Sequence, residues 1–275
     1  MVITVNGHSV YSYTGGKTWD AAKPTIVFIH GVLNDHSVWI LQSRYLANHG
    51  YNVMAIDLPG HGKSAGTCPR SVEEAAEFVI DLLDAAGIQK AALVGHSWGS
   101  LIALHAASLA PARVTHLAML GTAFPMKVSP ALLDAALNKP MQAIDMVNTF
   151  SHSTLSPPPS SFGPGTWVYG GSKALMRRVL SRGLQNNPPE NVFHLGFTAC
   201  DQYLNAFEAL TQVIPAQAAM LFIVGKYDQM TTPKAAQALI NAAPHAKVVT
   251  VQAGHSLMAE APDATLFALR DFLKL

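Results

Sequence analysis

Ala91-Ala92-Leu93-Val94-Gly95-His96-Ser97-Trp98-Gly99-Ser100-Leu101-Ile102-Ala103-Leu104 is the stretch that decides the fold. A short apolar run leads into Gly95-His96-Ser97-Trp98-Gly99, a G-x-S-x-G pentapeptide, and an apolar, alanine-rich segment follows as far as Ala110. The pentapeptide alone is weak evidence, because with glycine at about 7% of residues it arises by chance in roughly one chain in ten of this length. Its setting makes it specific. A strand, a sharp turn and a helix are what such a serine needs, and the flanking sequence supplies all three. The turn holds the serine in a strained conformation, and small residues on either side avoid clashes with neighbouring backbone. The hydroxyl then projects above the sheet beside the amino end of a helix, where N–H groups favour developing negative charge.

Outward from this turn, strand-like and helix-like segments alternate from residue 24 onward. That pattern predicts a mostly parallel sheet with helices on both faces. Thr25–Ile29 enters His30-Gly31, Tyr51–Ile56 enters Asp57, Leu117–Leu120 enters Gly121, Met220–Val224 enters Gly225, and Val248–Val251 runs toward Gly254. Each run ends in a turn residue, where functional loops sit in such folds. Residues 2–5 and 9–13 read as an antiparallel hairpin around Asn6-Gly7. The sum is an α/β fold with an eight-stranded, mostly parallel, doubly wound sheet. Ser71–Ala86 carries Val72, Ala75, Ala76, Val79, Ile80 and Leu83 at helical spacing, with Ser71 and Glu74 as a capping box and Gly87 as the stop. Trp98–Ala110, Lys234–Ala243 and Ala264–Leu273 read as further helices.

Residues 125–200 break the alternation. They contain Pro157-Pro158-Pro159, Gly163-Pro164-Gly165 and Gly170-Gly171, with helical patterns at Pro130–Leu137 and Lys173–Leu184 and no strand. The expected organisation is a core of 1–124 and 201–275 interrupted by a helical cap insertion at 125–200. Insertions at the carboxyl ends of strands overhang the site.

A serine hydroxyl attacks well only when a base removes its proton, and the base needs an acid to fix its tautomer. Of twelve histidines, His255 in Gly254-His255-Ser256 follows a strand on a loop, whereas His30, His61 and His96 sit in turn sequences that suit structural roles. Asp228 follows Met220–Val224 through Gly225-Lys226-Tyr227 and is the preferred acid. Asp201, outside any strand end, and Glu260, read as a helix-start residue, are its rivals. The backbone N–H groups of Trp98 and Val32 are the candidate oxyanion donors. The pocket is expected to draw on Val32, Leu33, Trp98, Phe124, Met126 and Met230. Phe162 and Trp167 in the insertion hint at an apolar acyl or aromatic substrate.

Composition narrows the classes. Charged residues make up 13% of the 275 and the net charge is +1, against about 25% charged in an average soluble protein. No concentrated basic face advertises a nucleic-acid partner. The pair Arg177-Arg178 reads as a solvated helix face. Cys68 and Cys200 lack metal-ligand spacing and form no disulfide framework. No basic region followed by an apolar run opens the chain and no apolar stretch suffices to span a bilayer, so cytoplasmic residence without membrane attachment is the expectation. Neither a metal nor any other cofactor is anticipated, and the expected partner is a small-molecule substrate. Oligomeric state is not encoded in these patterns.

With the turn, His30-Gly31, Asp57-Leu58-Pro59-Gly60-His61-Gly62-Lys63-Ser64 and Gly254-His255 with Glu260 and Pro262, the chain resembles the α/β-hydrolase superfamily from about residue 24 to the end. The order Ser97, Asp228, His255 is the order of that fold. The resemblance implies that 125–200 is the variable cap and that no cofactor or metal is needed. It further implies a short oxyanion loop with one bulky residue, Val32, after His30-Gly31. Haloalkane dehalogenases and epoxide hydrolases of this fold use aspartate at the turn, so Ser97 points to an ester, a thioester, a lactone or a carbon–carbon bond to an acyl group. A serine esterase acting through an acyl-enzyme is the leading expectation. A carbon–carbon bond hydrolase, a cofactor-free haloperoxidase, an acyltransferase and a ligand-binding sensor are the alternatives.

Overall fold

The computed structural model describes residues 1–153 and 168–274. Pro157 to Pro159, Phe162, Gly163 to Gly165 and Trp167 lie outside the described residues.

Eight strands form one sheet: β1 (Val2–Val5), β2 (His8–Tyr13), β3 (Thr25–Ile29), β4 (Asn52–Ile56), β5 (Ala91–His96), β6 (Val114–Leu120), β7 (Ala219–Gly225) and β8 (Lys247–Val251). Their order across the sheet is β1-β2-β4-β3-β5-β6-β7-β8. The first two strands pair antiparallel, β2 pairs antiparallel with β4, and every later pair is parallel. Asn6 and Gly7 turn the opening hairpin with φ of 49° and 80°, the mirror-image geometry that matches strand twist.

Alternation along the strands divides the core in two. Val27, Ile29, Met54, Ile56, Leu93 and Met119 face one cluster, while Ile26, Phe28, Val53, Ala55, Val94 and Ala118 face the other. Strands buried on both faces are almost continuously apolar, as parallel strands are when helices cover each side. The second cluster is closed by α1 (Ile40–Asn48) through Leu46 and Ala47. The first is closed by α2 (Val72–Ala85) and α3 (Trp98–Leu109). Ser71 caps α2 by accepting from the Glu74 N–H at 3.1 Å, but the Glu74 carboxylate reaches back to the N–H of Arg70 instead of completing the reciprocal box.

Between β6 and β7 lie α4 (Pro130–Asn138), α5 (Pro140–Ser151), α6 (Val168–Leu184), α7 (Val192–Gln202) and α8 (Ala206–Val213), with no strand among the described residues. The expected boundary at 200/201 falls inside α7. Gly170-Gly171 lies within α6, where the propensity cost of about 1 kcal/mol per glycine is offset by burial of Val168, Met176, Val179 and Leu180. Bonds between distant side chains fasten the insertion to the core. Glu190, buried, accepts from the Cys68 N–H at 2.6 Å and from Arg70 at 3.0 Å. Arg178 is not merely solvated, because its guanidinium bonds the buried Asp35 at 2.9 Å. Cys68 and Cys200 are free, buried thiols. After β7 come α9 (Pro233–Ala242), the short α10 (Leu257–Glu260) and α11 (Pro262–Leu273), and the last two pack on the α1 side of the sheet. No helix among the described residues is long and apolar enough to cross a membrane.

Candidate active site

The connection from β3 leads to β4 on one side while β5 pairs on the other, so the sheet switches direction at the β3–β5 pair. Crevices outside the carboxyl ends of strands at such a point are where ligands bind in open α/β sheets. His30-Gly31 and His96-Ser97 occupy those two ends.

Ser97 has φ 55° and ψ −122°. A non-glycine residue held there costs on the order of 1–3 kcal/mol, strain that the surroundings must enforce. They do so by leaving no room. A Cβ on Gly95 would sit 2.0 Å from the Gly99 oxygen, and one on Gly99 would sit 2.3 Å from the Ile29 oxygen. A Cβ on Gly31 would lie 3.1 Å from the Ser97 Cβ. The Ser97 N–H donates to the Leu120 oxygen at 2.9 Å, anchoring the turn to β6. Ser97 itself stays partly exposed in an otherwise buried run.

Asp228 and His255 come together from the loops after β7 and β8. The His255 Nδ1–H donates to Asp228 Oδ2 at 2.8 Å, with both residues buried. The other Asp228 oxygen accepts the N–H groups of Met230 and Thr231 at 2.8 Å each. Thr231 Oγ1 donates to Asp228 Oδ2 at 2.8 Å and lies 3.1 Å from His255 Nδ1. Burial alone would oppose ionisation of Asp228, but the adjoining imidazole and these donors outweigh it and hold the carboxyl below its ordinary range. With Nδ1 committed as a donor, Nε2 of the neutral ring carries the lone pair.

Ser97 meets this pair through its neighbours. The His96 ring lies tilted against that of His255, 4.8 Å between centroids, and its Nε2–H donates to the His255 carbonyl at 2.8 Å. Gly121, next to the Leu120 that holds Ser97, passes so close that a Cβ would lie 3.2 Å from His255 Cε1. Among the described residues the Ser97 hydroxyl has no hydrogen-bond partner, a common state before substrate binds. The N–H groups of Trp98, first residue of α3, and of Val32 are likewise unengaged among the described residues. The Val32 side chain packs against Gly196 of α7, where a Cβ would meet it at 3.1 Å.

The other turn histidines form a neutral floor. His30 donates Nδ1–H to the Gly31 oxygen at 2.8 Å and accepts the Leu58 N–H on Nε2 at 3.1 Å. His61 packs at a tilt between His30 and Trp98. Burial pushes His61 and His96 each down to about 3, and it lowers His30 as well.

Of the rival acids, Asp201 lies in α7 and accepts the Val128 N–H at 3.0 Å. Glu260 ends α10 instead of starting a helix, and it is buried. It accepts the Gly254 N–H at 3.1 Å and the Ser153 N–H at 2.8 Å, together with the Ser153 hydroxyl. The N–H groups of His255 and Ser256 donate to the Ser151 oxygen at 2.8 and 3.0 Å. The root of the insertion is therefore bonded into the histidine loop, a connection across more than a hundred residues that nothing in the sequence signals. Thr231 was equally silent, although its place three residues after Asp228 suits a side-chain turn.

The pocket residues expected from sequence divide. Leu33 is buried in the core with φ 58°, and Met126 is also core. Phe124 packs edge-on to Phe207 at 5.1 Å, and Met230 is half-buried beside Asp228. A cavity of about 240 Å³ adjoins His96 and Ser256, and none of these four residues lines it. Asp35, His36 and Asp57 are close enough together to hold a cation. Their oxygens are already engaged by Ser37, Arg178, His36 and the Lys63 N–H, and a guanidinium beside the cluster disfavours a second positive charge.

Residues 24–262 match the alpha/beta hydrolase fold family. The chain is 41% identical over 99 residues to the dihydrolipoyllysine-residue acetyltransferase component of the acetoin cleaving system of Pseudomonas putida, covering 36% of this chain and 26% of that one. It is 35% identical over 125 residues to epoxide hydrolase 3 of Siraitia grosvenorii, covering 44% and 39%. These matches span well under half of the curated relatives' length. Among solved structures, a thermophilic esterase superposes with TM-score 0.76 at 25% identity, covering 99% of this chain and 96% of that chain. The enol-lactonase from Burkholderia xenovorans superposes with TM-score 0.77 at 21% identity, covering 99% of each.

Proposed function

We propose, from the premise that this chain belongs to the alpha/beta hydrolase fold family, that it is a serine hydrolase cleaving small, largely apolar carboxylic esters through an acyl-enzyme on Ser97. The single observation that carries the reading is the buried Asp228–His255 pair beside a serine held at positive φ. Epoxide hydrolase relatives share the fold, but the aspartate their mechanism needs at the turn is a serine here.

In this mechanism His255 Nε2 takes the Ser97 proton as Oγ attacks the ester carbonyl carbon. The carbonyl oxygen becomes an oxyanion that accepts from the Val32 and Trp98 N–H groups, which are free to donate. Collapse breaks the bond to the alkoxy oxygen, which leaves with the proton from His255. Water then attacks the acyl-enzyme, its proton passing to His255, and the acid departs as Ser97 recovers its hydrogen. Asp228 stays ionised throughout and stabilises the imidazolium. The helical insertion serves as a cap over this site.

A fluorophosphonate probe tests the reading directly. Mass spectrometry of the modified peptide is expected to place the label on Ser97, and Ser97→Ala is expected to abolish both labelling and hydrolysis of p-nitrophenyl acetate. Full activity in Ser97→Ala refutes the nucleophile.

A further inference from the structure

Behind His96, between α1, α6 and the loop that follows His255, lies the cavity of about 240 Å³. Its apolar wall includes Val38, Leu41, Leu175 and Met258. Gln42 lines it while fully buried, and among the described residues neither its Oε1 nor its Nε2 has a partner. A buried amide with no partner is costly, on the order of 1–3 kcal/mol per group, and native structures rarely keep one without a reason. His96 adds a second unengaged atom. Its Nε2–H is committed to the His255 carbonyl, so Nδ1, buried and unpaired, is left as an acceptor.

We propose that this cavity receives the leaving-alcohol arm of the substrate and selects a neutral arm carrying a carboxamide. The proposal rests on the serine-hydrolase reading for the word "leaving" and on the cavity itself for the rest. Position assigns the arm. His255 must deliver its proton to the departing oxygen, so the alcohol lies on the histidine side, and the cavity wall includes Ser256, Met258 and Ala259, directly after His255. Volume assigns the size. A cavity of about 150 Å³ holds benzene, and each further water-sized group takes roughly 30 Å³, so a ring with about three more heavy atoms fits. Chemistry assigns the polar group. Among the described residues no Asp, Glu, Lys or Arg lines the cavity, so a charged arm would be buried unpaired. A carboxamide presents one donor and one acceptor side by side, the complement of the two buried, unpartnered amide atoms of Gln42.

Benzamide, a ring plus three heavy atoms, is the probe. Calorimetry with the full chain is expected to detect benzamide binding and no binding of benzoate, and benzamide is expected to shift the Met258 methyl resonance. Gln42→Leu replaces an unsatisfied polar group by an apolar one of similar size, a change that is often neutral or stabilising. It is expected to weaken benzamide by about tenfold, the value of one hydrogen bond of ~1.4 kcal/mol. Should that variant not fold, Leu175→Phe, which fills the cavity, is expected to reduce binding likewise. No benzamide binding, an unmoved Met258 methyl, or equal binding by Gln42→Leu overturns the site. The role in turnover is read from the kcat/KM ratio of 3-carbamoylbenzyl butanoate over benzyl butanoate. The ratio is expected to exceed one and to collapse in Gln42→Leu, and a ratio unchanged by the substitution overturns the leaving-group assignment. If fluorophosphonate fails to label Ser97, the hydrolase reading falls by itself, and the benzamide experiment still decides the cavity.

Discussion

Acid is expected to unfold this protein early, and the cause lies under the serine turn. His61 and His96 are buried and neutral, each with its pKa pushed down by burial to about 3. In the unfolded chain a histidine titrates near 6.5. Between those values the unfolded state binds a proton that the native state refuses, so the stabilisation is complete above about pH 6.5 and drains away as pH falls toward 3. At pH 5 each residue removes about 2 kcal/mol, and the pair about 4 kcal/mol, relative to pH 8. For a chain of this size about 2–4 °C in Tm accompanies each kcal/mol, so Tm is expected to drop by roughly 10 °C over that interval. Asp228 adds nothing in this window. Its lowered pKa makes its contribution complete above about pH 4, and it is lost only on further acidification. Scanning calorimetry at constant ionic strength from pH 8 to 5 measures the effect, and His61→Asn is expected to remove about 2 kcal/mol of the loss over that interval. A Tm that stays level or rises between pH 7 and 5, or a His96 ring that titrates near 6 by NMR, refutes the argument.

Asp228→Asn is expected to lower kcat by about ten-thousandfold with little change in KM, the scale seen when a triad aspartate in a serine protease is made neutral; stopped-flow acylation checks it. Gly99→Ala puts a methyl 2.3 Å from the Ile29 oxygen, so the turn must move, and loss of fluorophosphonate labelling is the expected readout. Glu260→Ala strands the Gly254 and Ser153 N–H donors and is expected to cost about 3 kcal/mol in urea unfolding. Glu260→Gln, which retains an acceptor, is expected to lose less, and an equal loss in both variants would show that the carboxylate is not holding these donors.

Most of what positions the site is local, and locality is what made it legible. The period of two in the strands, the glycines around Ser97 and the Ser71 cap are decided by neighbours within a few residues. All eight strands and the order of the three site loops follow from such patterns. The insertion resisted for the opposite reason. Its helices are held by distant partners, Glu190 to the Cys68 N–H and Arg178, otherwise solvent-facing as its sequence predicts, to Asp35, and no local pattern announces either bond. The cavity is harder still. Its walls come from α1 and the residues before it, from α6, and from Ser256 and α10, and Gln42 looks in sequence like any polar residue on a helix surface. Only its complete burial sets it apart.

The proposed base is fixed more completely than its partner serine. Asp228 and Thr231 hold the His255 ring, and His96 holds its carbonyl. Ser151 accepts its N–H, and the Lys226 and Tyr227 N–H groups tie the acid loop to Val251 and Ala253. The backbone of Ser97 is equally constrained, by Leu120 behind and the crowded glycines beside it. The Ser97 hydroxyl, by contrast, has no hydrogen-bond partner among the described residues. The same bonds give the insertion a hold on the chemistry. Drawing the end of α5 away from the core breaks two hydrogen bonds to the base loop, about 1 kcal/mol each, so a displacement that reached Ser151 would also loosen the imidazole.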